Sequence, residues 1–242
     1  MKPDSMHVET LVGDAPSVLN ELATELVRVG GQSMDEDPNS QRSACFLVAI
    51  RCCSLLVGMG HLLDPSTCDS WDVVARSFME SRDLLLTFRF NEKGTRDDVK
   101  IWFQGKNDSS WRPRHKKAEA FVKRLGAGDT ELGKRWSAFS ALSHPTIHAA
   151  KNSTNFVVTW VTRRHDPNAD EVMRQKRADY LVSISTLIVA ATFEVPEWIE
   201  LGCDLTRIPH VESFRLAVWG ATSGITEEER RIPLPPESYR ST

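Results

Sequence analysis

The spacing of apolar residues near the start of the chain predicts an amphipathic helix. Leucine or valine recurs at every third or fourth position: Leu19, Leu22, Leu26 and Val29. Asp14, followed two residues later by Pro16, is typical of a helix N-terminus, and Gly30-Gly31 is typical of a helix end. We therefore predict that the first helix begins at Asp14 and ends before the two glycines.

The second predicted helix begins at Asp37-Pro38 and runs to about Leu63. It is apolar on nearly all sides, so we expect it to lie at the centre of a helical bundle. Arg51 lies in its middle and His61 near its end, which makes it a poor candidate for a membrane span. The sequence thus predicts a buried helix of a soluble protein.

The third predicted helix, residues 69–91, has one apolar face and one mixed face. The apolar face consists of Trp71, Val74, Ala75, Phe78, Leu85 and Phe88. Arg76 and Glu80 lie one turn apart on the mixed face, with Asp83 and Thr87 further along. This face is either solvated, with an i,i+4 ion pair contributing a few tenths of a kcal/mol, or covered by a neighbouring helix.

Helix patterns continue through most of the remaining chain. We predict helices at about 98–104, 113–125, 129–143 and 166–193, which brings the total to seven, and a short additional helical segment at 211–219. One short extended segment, rich in β-branched and aromatic residues, is predicted at 155–162. The expected fold class is all-α: one helical bundle of six or seven helices in residues 1–222. Residues 223–242 are predicted to form an extended or disordered tail.

Charge is distributed unevenly along this chain of 242 residues, whose net charge of −3 argues against a general nucleic-acid coat protein. Residues 100–135 hold ten Lys or Arg against four Asp or Glu. The four candidate nucleic-acid-binding residues in this segment are Arg112, Arg114, Lys116 and Lys117. Nearby Trp102, Phe103 and Trp111 could stack on single-stranded bases. The alternative, which we favour, is that these aromatic rings pack one end of the bundle while the cations are solvated.

The five cysteines fit a reducing environment. Their number is odd, no CxxC motif occurs, and a disulfide between adjacent Cys52 and Cys53 would be strained. We therefore interpret them as buried core thiols. Because residues 1–7 also lack the apolar run of a signal peptide, we expect a cytoplasmic protein without a membrane partner.

Two short motifs resemble a known family. The helix that carries Arg76-Ser-Phe-Met-Glu80 resembles the L-x-R-S-x-x-E helix of a broad prokaryotic family of uncharacterised all-helical proteins. Residues 136–145, which end in Ser143-His144-Pro145, resemble that family's later helix ending in L-S-x-x-H, and the likeness covers about residues 40–190. The family is similar to the HEPN superfamily of toxin, abortive-infection and RNA-processing proteins. The resemblance implies that Arg76 and Glu80 point inward and lie near His144.

The resemblance also suggests a chemistry, from which this chain departs at one point. HEPN ribonucleases have an arginine followed four to six residues later by a histidine, and no arginine here has that spacing. RNA cleavage would therefore need Arg76 and His144 from different helices, the first stabilising phosphate charge and the second transferring a proton. Arg76, Glu80 and His144 are the candidate catalytic residues of such a metal-independent ribonuclease.

A metal-dependent hydrolase is a second alternative. His144 and His148 are four residues apart and, on a helix, could bind a divalent metal together with Glu80. Because HExxH, CxxC, P-loop and Rossmann motifs are absent from the sequence, we expect no metal and no cofactor. We favour a helical module of phage defence or stress response that binds RNA or a protein, and apolar bundle faces favour a homodimer.

Overall fold

The computed structural model describes residues 5–64, 68–89, 95–105, 167–192 and 205–223. These residues form six α-helices and one short 3-10 turn, Leu205–Arg207. The helices are α1 (Ser5–Glu36), α2 (Gln41–His61), α3 (Cys68–Arg89), α4 (Thr95–Phe103), α5 (Pro167–Thr192) and α6 (Pro209–Ser223). No strand occurs among the described residues, so the predicted all-α fold class is confirmed there.

Helix α1 is longer than the sequence predicts at both ends. Its buried stripe begins at Val8, so Asp14 lies inside the helix and does not cap it. Pro16 is also internal. It lies on the exposed side, where water can replace the backbone hydrogen bond that proline cannot make.

The glycine pair does not end α1, contrary to prediction. A Cβ atom at Gly30 would overlap the ring of Phe46 on α2, whereas nothing lies within 4 Å of one at Gly31. Gly30 therefore allows a close crossing of α1 and α2, and the helix continues for six more residues to Glu36.

Helix α2 begins later than predicted. Asp37-Pro38 lies in the turn that joins it to α1, and Ser40 is the actual N-cap, whose side chain accepts a hydrogen bond from the Ser43 backbone N–H. The predicted end near Leu63 is confirmed to within two residues. By length and composition α2 could cross a membrane, although half of its most apolar window is buried within the bundle.

Helices α1 and α3 run antiparallel to α2. Ser33, near the end of α1, contacts Ser43 at the start of α2. Gln41, the first residue of α2, donates a hydrogen bond to the carbonyl of Phe88 near the end of α3. Helix α2 also packs against α5, so it contacts three long helices. The predicted central position of α2 therefore holds in part, since only half of its most apolar window is buried.

Helices α3 and α5 lie side by side and run parallel. Asp72 pairs with Lys176 near their starts, and Arg89 donates to the carbonyl of Ala191 at their ends. Both helices and α2 contribute to one apolar core, whose largest fully buried side chains include Trp71, Phe78, Phe88, Leu56, Met59, Leu181 and Ile184. The predicted apolar face of α3 is confirmed: Trp71, Phe78 and Phe88 are completely buried, Ala75 and Leu85 nearly so, and Val74 is partly buried against the core.

The other predictions divide into confirmed and untested ones. The predicted helices at 98–104, 166–193 and 211–219 correspond to α4, α5 and α6, the last of which is longer than expected. The helices predicted at 113–125 and 129–143, the extended segment at 155–162 and the tail after 223 lie outside the described residues.

Candidate functional site

Arg76 and Glu80 form an ion pair one turn apart on α3. Arg76 Nε donates to Glu80 Oε1 at 2.8 Å. The Arg76 side chain is 17% exposed and that of Glu80 is 48% exposed. The expectation that both side chains point into the bundle is therefore wrong for Glu80, whose carboxylate reaches solvent. The ion pair thus lies at the edge of the bundle, with Arg76 mostly covered and Glu80 nearly half exposed.

The remaining predicted site residues cannot be placed against this pair. His144, Arg112, Arg114, Lys116 and Lys117 all lie outside the described residues, as does His148. Within the described part of the chain, no group of three or more His, Cys, Asp or Glu side chains could hold a metal ion. The catalytic and nucleic-acid-binding assignments thus stay predictions.

A buried ion pair that the sequence did not predict joins α3 to α5. Lys176 Nζ donates to Asp72 Oδ2 at 2.9 Å, and both side chains are less than a tenth exposed. The same ammonium group lies 5.0 Å from the centre of the Trp71 ring. Because a buried charge needs a partner, the carboxylate and the ring together allow Lys176 to remain inside the bundle.

The C-terminal half of α3 carries more buried charge. Arg82 pairs with its neighbour Asp83, with Nη2 and Oδ1 2.6 Å apart, and both residues are buried. Arg89, in the last turn, donates from Nη1 to the carbonyl of Ala191 at 2.7 Å. That carbonyl lies in the last turn of α5, where the helix dipole is negative, so a guanidinium is favourable there.

Three cysteines of α2 are core residues, as predicted. Cys45, Cys52 and Cys53 are free and buried. Burial raises the pKa of Cys45 to about 12, against an opposing effect of the nearby Arg89 guanidinium. Burial also raises the pKa of Cys52, again as the largest effect. Thiols with such raised pKa values are poor nucleophiles at neutral pH.

One sequence signal could have revealed the Asp72–Lys176 pair. Lys176 falls on the apolar stripe of α5, three residues after Met173 and four before Tyr180, both of which are buried. A charged residue inside an apolar stripe indicates a buried charge, which needs a partner on a neighbouring helix. The partner itself could not be identified, because its choice depends on how α3 and α5 align.

Comparison with known proteins gives no relative. No protein-family model, no curated protein and no solved structure matches this chain. The resemblance of the Arg76–Glu80 helix to a HEPN-like bundle therefore stays an expectation from sequence.

Proposed function

We propose that the protein is a non-enzymatic helical module of the cytoplasm, in phage defence or stress response, that works by binding another protein. The observation that supports this most is a set of exposed apolar side chains at one end of the bundle. The Arg76–Glu80 ion pair supports it further, because each side chain already has a partner within its own helix.

Three half-exposed valines define the proposed binding end: Val57 on α2, Val73 on α3 and Val172 on α5. A Cβ atom added at Gly58, the residue after Val57, would lie 3.9 Å from the side chain of Val74, the residue after Val73. Val57 and Val73 therefore lie at the same level along the bundle. Val73 follows Asp72, whose partner Lys176 lies one turn after Val172. The three valines are therefore on adjacent helices at a common end.

Exposed valines at a common end of three helices favour a protein partner over RNA. A single exposed apolar side chain is ordinary on a soluble protein, whereas a contiguous apolar surface indicates a contact site, and we infer that these three valines contribute to one. Apolar side chains also give little attraction for phosphate, which dominates nucleic-acid affinity. A second copy of the chain is one such partner, in line with the homodimer that the sequence favours.

The test of the binding end uses the full chain with Val57, Val73 and Val172 all changed to serine. Sedimentation equilibrium measures self-association, and cross-linking in cells followed by mass spectrometry identifies other partners. Val27→Ser is the matched control, because Val27 is similarly exposed but lies in the last third of α1, away from the proposed end. We expect the triple variant to lose association and Val27→Ser to retain it. An unchanged set of partners would refute the proposal.

A separate assay tests whether the module is an enzyme. Wild-type protein and a folded His144→Ala variant are incubated with RNA in the presence of EDTA. We expect no cleavage by either. Cleavage that survives EDTA and is lost in the variant would instead establish a ribonuclease that uses His144, with Arg76 as the residue to change next. Stoichiometric metal in the purified protein would favour the hydrolase alternative with Glu80, His144 and His148.

A further inference from the structure

One face of α2 has the residue spacing of a coiled-coil seam. Its members follow one another at alternating steps of three and four residues, which places them on one side of the helix: Leu47, Ile50, Ser54, Val57 and His61. The last three of these residues are exposed, and the first two are partly exposed. Half of the most apolar window of α2 is not buried. A seam with this spacing is typical of a helix that packs against a second helix.

Helix α3 lies beside this seam at a known level. Arg51 Nε donates to Ser81 Oγ at 3.2 Å, and a Cβ atom added at Gly58 would lie 3.9 Å from the side chain of Val74. Seven residues along α2 therefore match seven residues along α3 in the opposite direction. The two contacts thus give the level of each α3 residue along α2.

Val57 and Val73 point to the same side of this helix pair. Each directly precedes a residue of the α2–α3 contact, Gly58 or Val74, and in antiparallel helices the residues before such a contact lie on the same side of the pair. Both valines are about half exposed. Glu80 lies about two turns after Val73 on the same stripe of α3 and is 48% exposed. Helices α2 and α3 therefore present one common face.

The charges on this face are arranged symmetrically about Ser54. Ser54 is level with position 78 of α3, midway between Arg76 and Glu80. A two-fold axis that crosses both helices there would place α2 against α2 and α3 against α3 of a second copy, each pair antiparallel. Arg76 of each copy then lies at the level of Glu80 of the other copy. Because a Coulomb interaction depends on the positions of the charges, Arg76 can keep every contact that it makes in its own chain.

We propose that a second copy of this chain docks antiparallel on the α2–α3 face, with the two-fold axis at Ser54. Ile50 and Val57 lie four and three residues on either side of Ser54, so apolar side chains meet across the axis. The small serine allows the helices to approach closely. The charges of Arg76 and Glu80 at the edge of the face set the orientation more than the affinity. This dimer rests on the proposed function, because its face includes two of the three valines of the proposed binding end, and it makes the partner a second copy.

Charge reversal in the full chain tests this pairing, with sedimentation velocity as the measurement. Glu80→Arg and Arg76→Glu each bring like charges together in a homodimer, so each should raise the dissociation constant about tenfold or more. An equimolar mixture of the two variants should recover the association, because opposite charges then meet between the copies. Glu171→Arg, which reverses the exposed partner of Arg174 on α5, is the matched control and should associate like the wild type.

A second variant keeps the test decisive if Arg76→Glu does not fold. Ser54→Cys places a thiol on the proposed axis, so mild oxidation should join two chains through this position. Ser17→Cys, at an exposed position of α1, should not become cross-linked. The wild type, oxidised in parallel, shows the contribution of the native cysteines.

Two results would overturn the dimer. One is a wild type that stays monomeric at the highest concentration reached, together with no cross-link in Ser54→Cys. The other is self-association that neither charge reversal weakens. The proposed function would survive both results if the triple valine variant still lost another partner. It fails instead if the triple valine variant retains every partner.

Discussion

Lys176 Nζ lies 2.9 Å from Asp72 Oδ2 and 5.0 Å from the centre of the Trp71 ring, so one buried ammonium group joins α5 to two consecutive residues of α3. Such a pair is not a large source of stability by itself, because both charges lose their hydration when they are buried. Its effect is on alignment: a shift of α5 along α3 would separate the buried ammonium of Lys176 from the Asp72 carboxylate. We infer that the pair fixes the relative register of these parallel helices.

Removal of one member of this pair should therefore lower the free energy of unfolding by much more than the small net contribution of the intact pair suggests. We expect Lys176→Met to lower the free energy of unfolding by about 3–5 kcal/mol, because Asp72 then keeps a buried charge without its ammonium partner. The double variant Asp72→Asn, Lys176→Met should recover part of that loss. Urea denaturation of the single and double variants measures the coupling.

The exposed pair between Arg177 on α5 and Glu9 on α1 provides the matched control. Arg177→Met also removes a cation that bridges two helices, but from a solvated position, so its effect should be much smaller. A loss in Lys176→Met no greater than that in Arg177→Met would show that the register of α3 and α5 does not depend on the buried pair.

Glu80 gives the opposite case about two turns further along the same helix. Its side chain is nearly half exposed and pairs with Arg76 one turn earlier. We expect Glu80→Ala to change the free energy of unfolding by about 0.5 kcal/mol or less, as for other i,i+4 surface pairs. Chemical denaturation measures this change. A loss above about 2 kcal/mol would be typical of a buried polar network, and it would restore the inward-facing interpretation of this motif.

The difference between these two pairs shows how much the sequence could predict. Periodicity identified the apolar face of α3, since a spacing of 3.6 residues alone decides which side chains point the same way. It also placed Arg76 and Glu80 together correctly. It could not decide whether their face is covered, because that depends on which other helix packs there. The HEPN resemblance stays an expectation, and the inward position that it implied does not hold for the Glu80 side chain, which is nearly half exposed.

The ends of α1 show the same limit of prediction from sequence. Asp14, Pro16 and the glycines at 30 and 31 have strong local preferences, yet α1 continues through all of them. Burial of Val8 and Leu11 before Asp14 favours an earlier start, and packing of Gly30 against Phe46 favours helical geometry at the crossing. Tertiary contacts thus outweighed local costs of about 1 kcal/mol for each glycine and about 3 kcal/mol for a proline inside a helix.

Gly30 and Gly31 of α1 should respond oppositely to substitution by alanine. Gly30→Ala places a methyl group where the Phe46 ring lies, so we expect a loss of about 1–3 kcal/mol from overpacking. Gly31→Ala meets nothing within 4 Å and should stabilise the helix by up to about 1 kcal/mol. Thermal and urea unfolding of both variants test the prediction.

The cause of the Gly30 effect can be tested separately. If the Phe46 ring is responsible, Phe46→Leu should reduce the additional loss caused by Gly30→Ala, although it costs stability on its own. Equal behaviour of Gly30→Ala and Gly31→Ala, whether both stabilise or both destabilise, would contradict the close crossing of α1 and α2.

Alkaline pH should destabilise the bundle through groups whose pKa values are raised in the folded state. Burial raises the pKa of Tyr180 to about 12, and that of Cys45 to about 12 from its ordinary value of 9.0. Below pH 9 both groups are protonated in the folded and unfolded states, so their contribution is complete there. Between about pH 9 and 12 the unfolded chain loses protons that the folded chain retains, so the free energy of unfolding falls as pH rises.

The variant Tyr180→Phe distinguishes the contribution of the phenol to this pH dependence of stability from that of the thiols. The Tyr180 hydroxyl oxygen lies 2.7 Å from the position of a Cβ atom at Gly60, so the phenol is enclosed where α5 crosses the end of α2. We expect the variant to show a shallower decline of stability between pH 9 and 12, measured by urea denaturation at fixed ionic strength. The decline that remains is due in part to the buried thiols and should diminish further with Cys45→Ala. A wild-type stability that stays constant to pH 12 would show that these groups ionise as freely in the folded protein as in the unfolded chain.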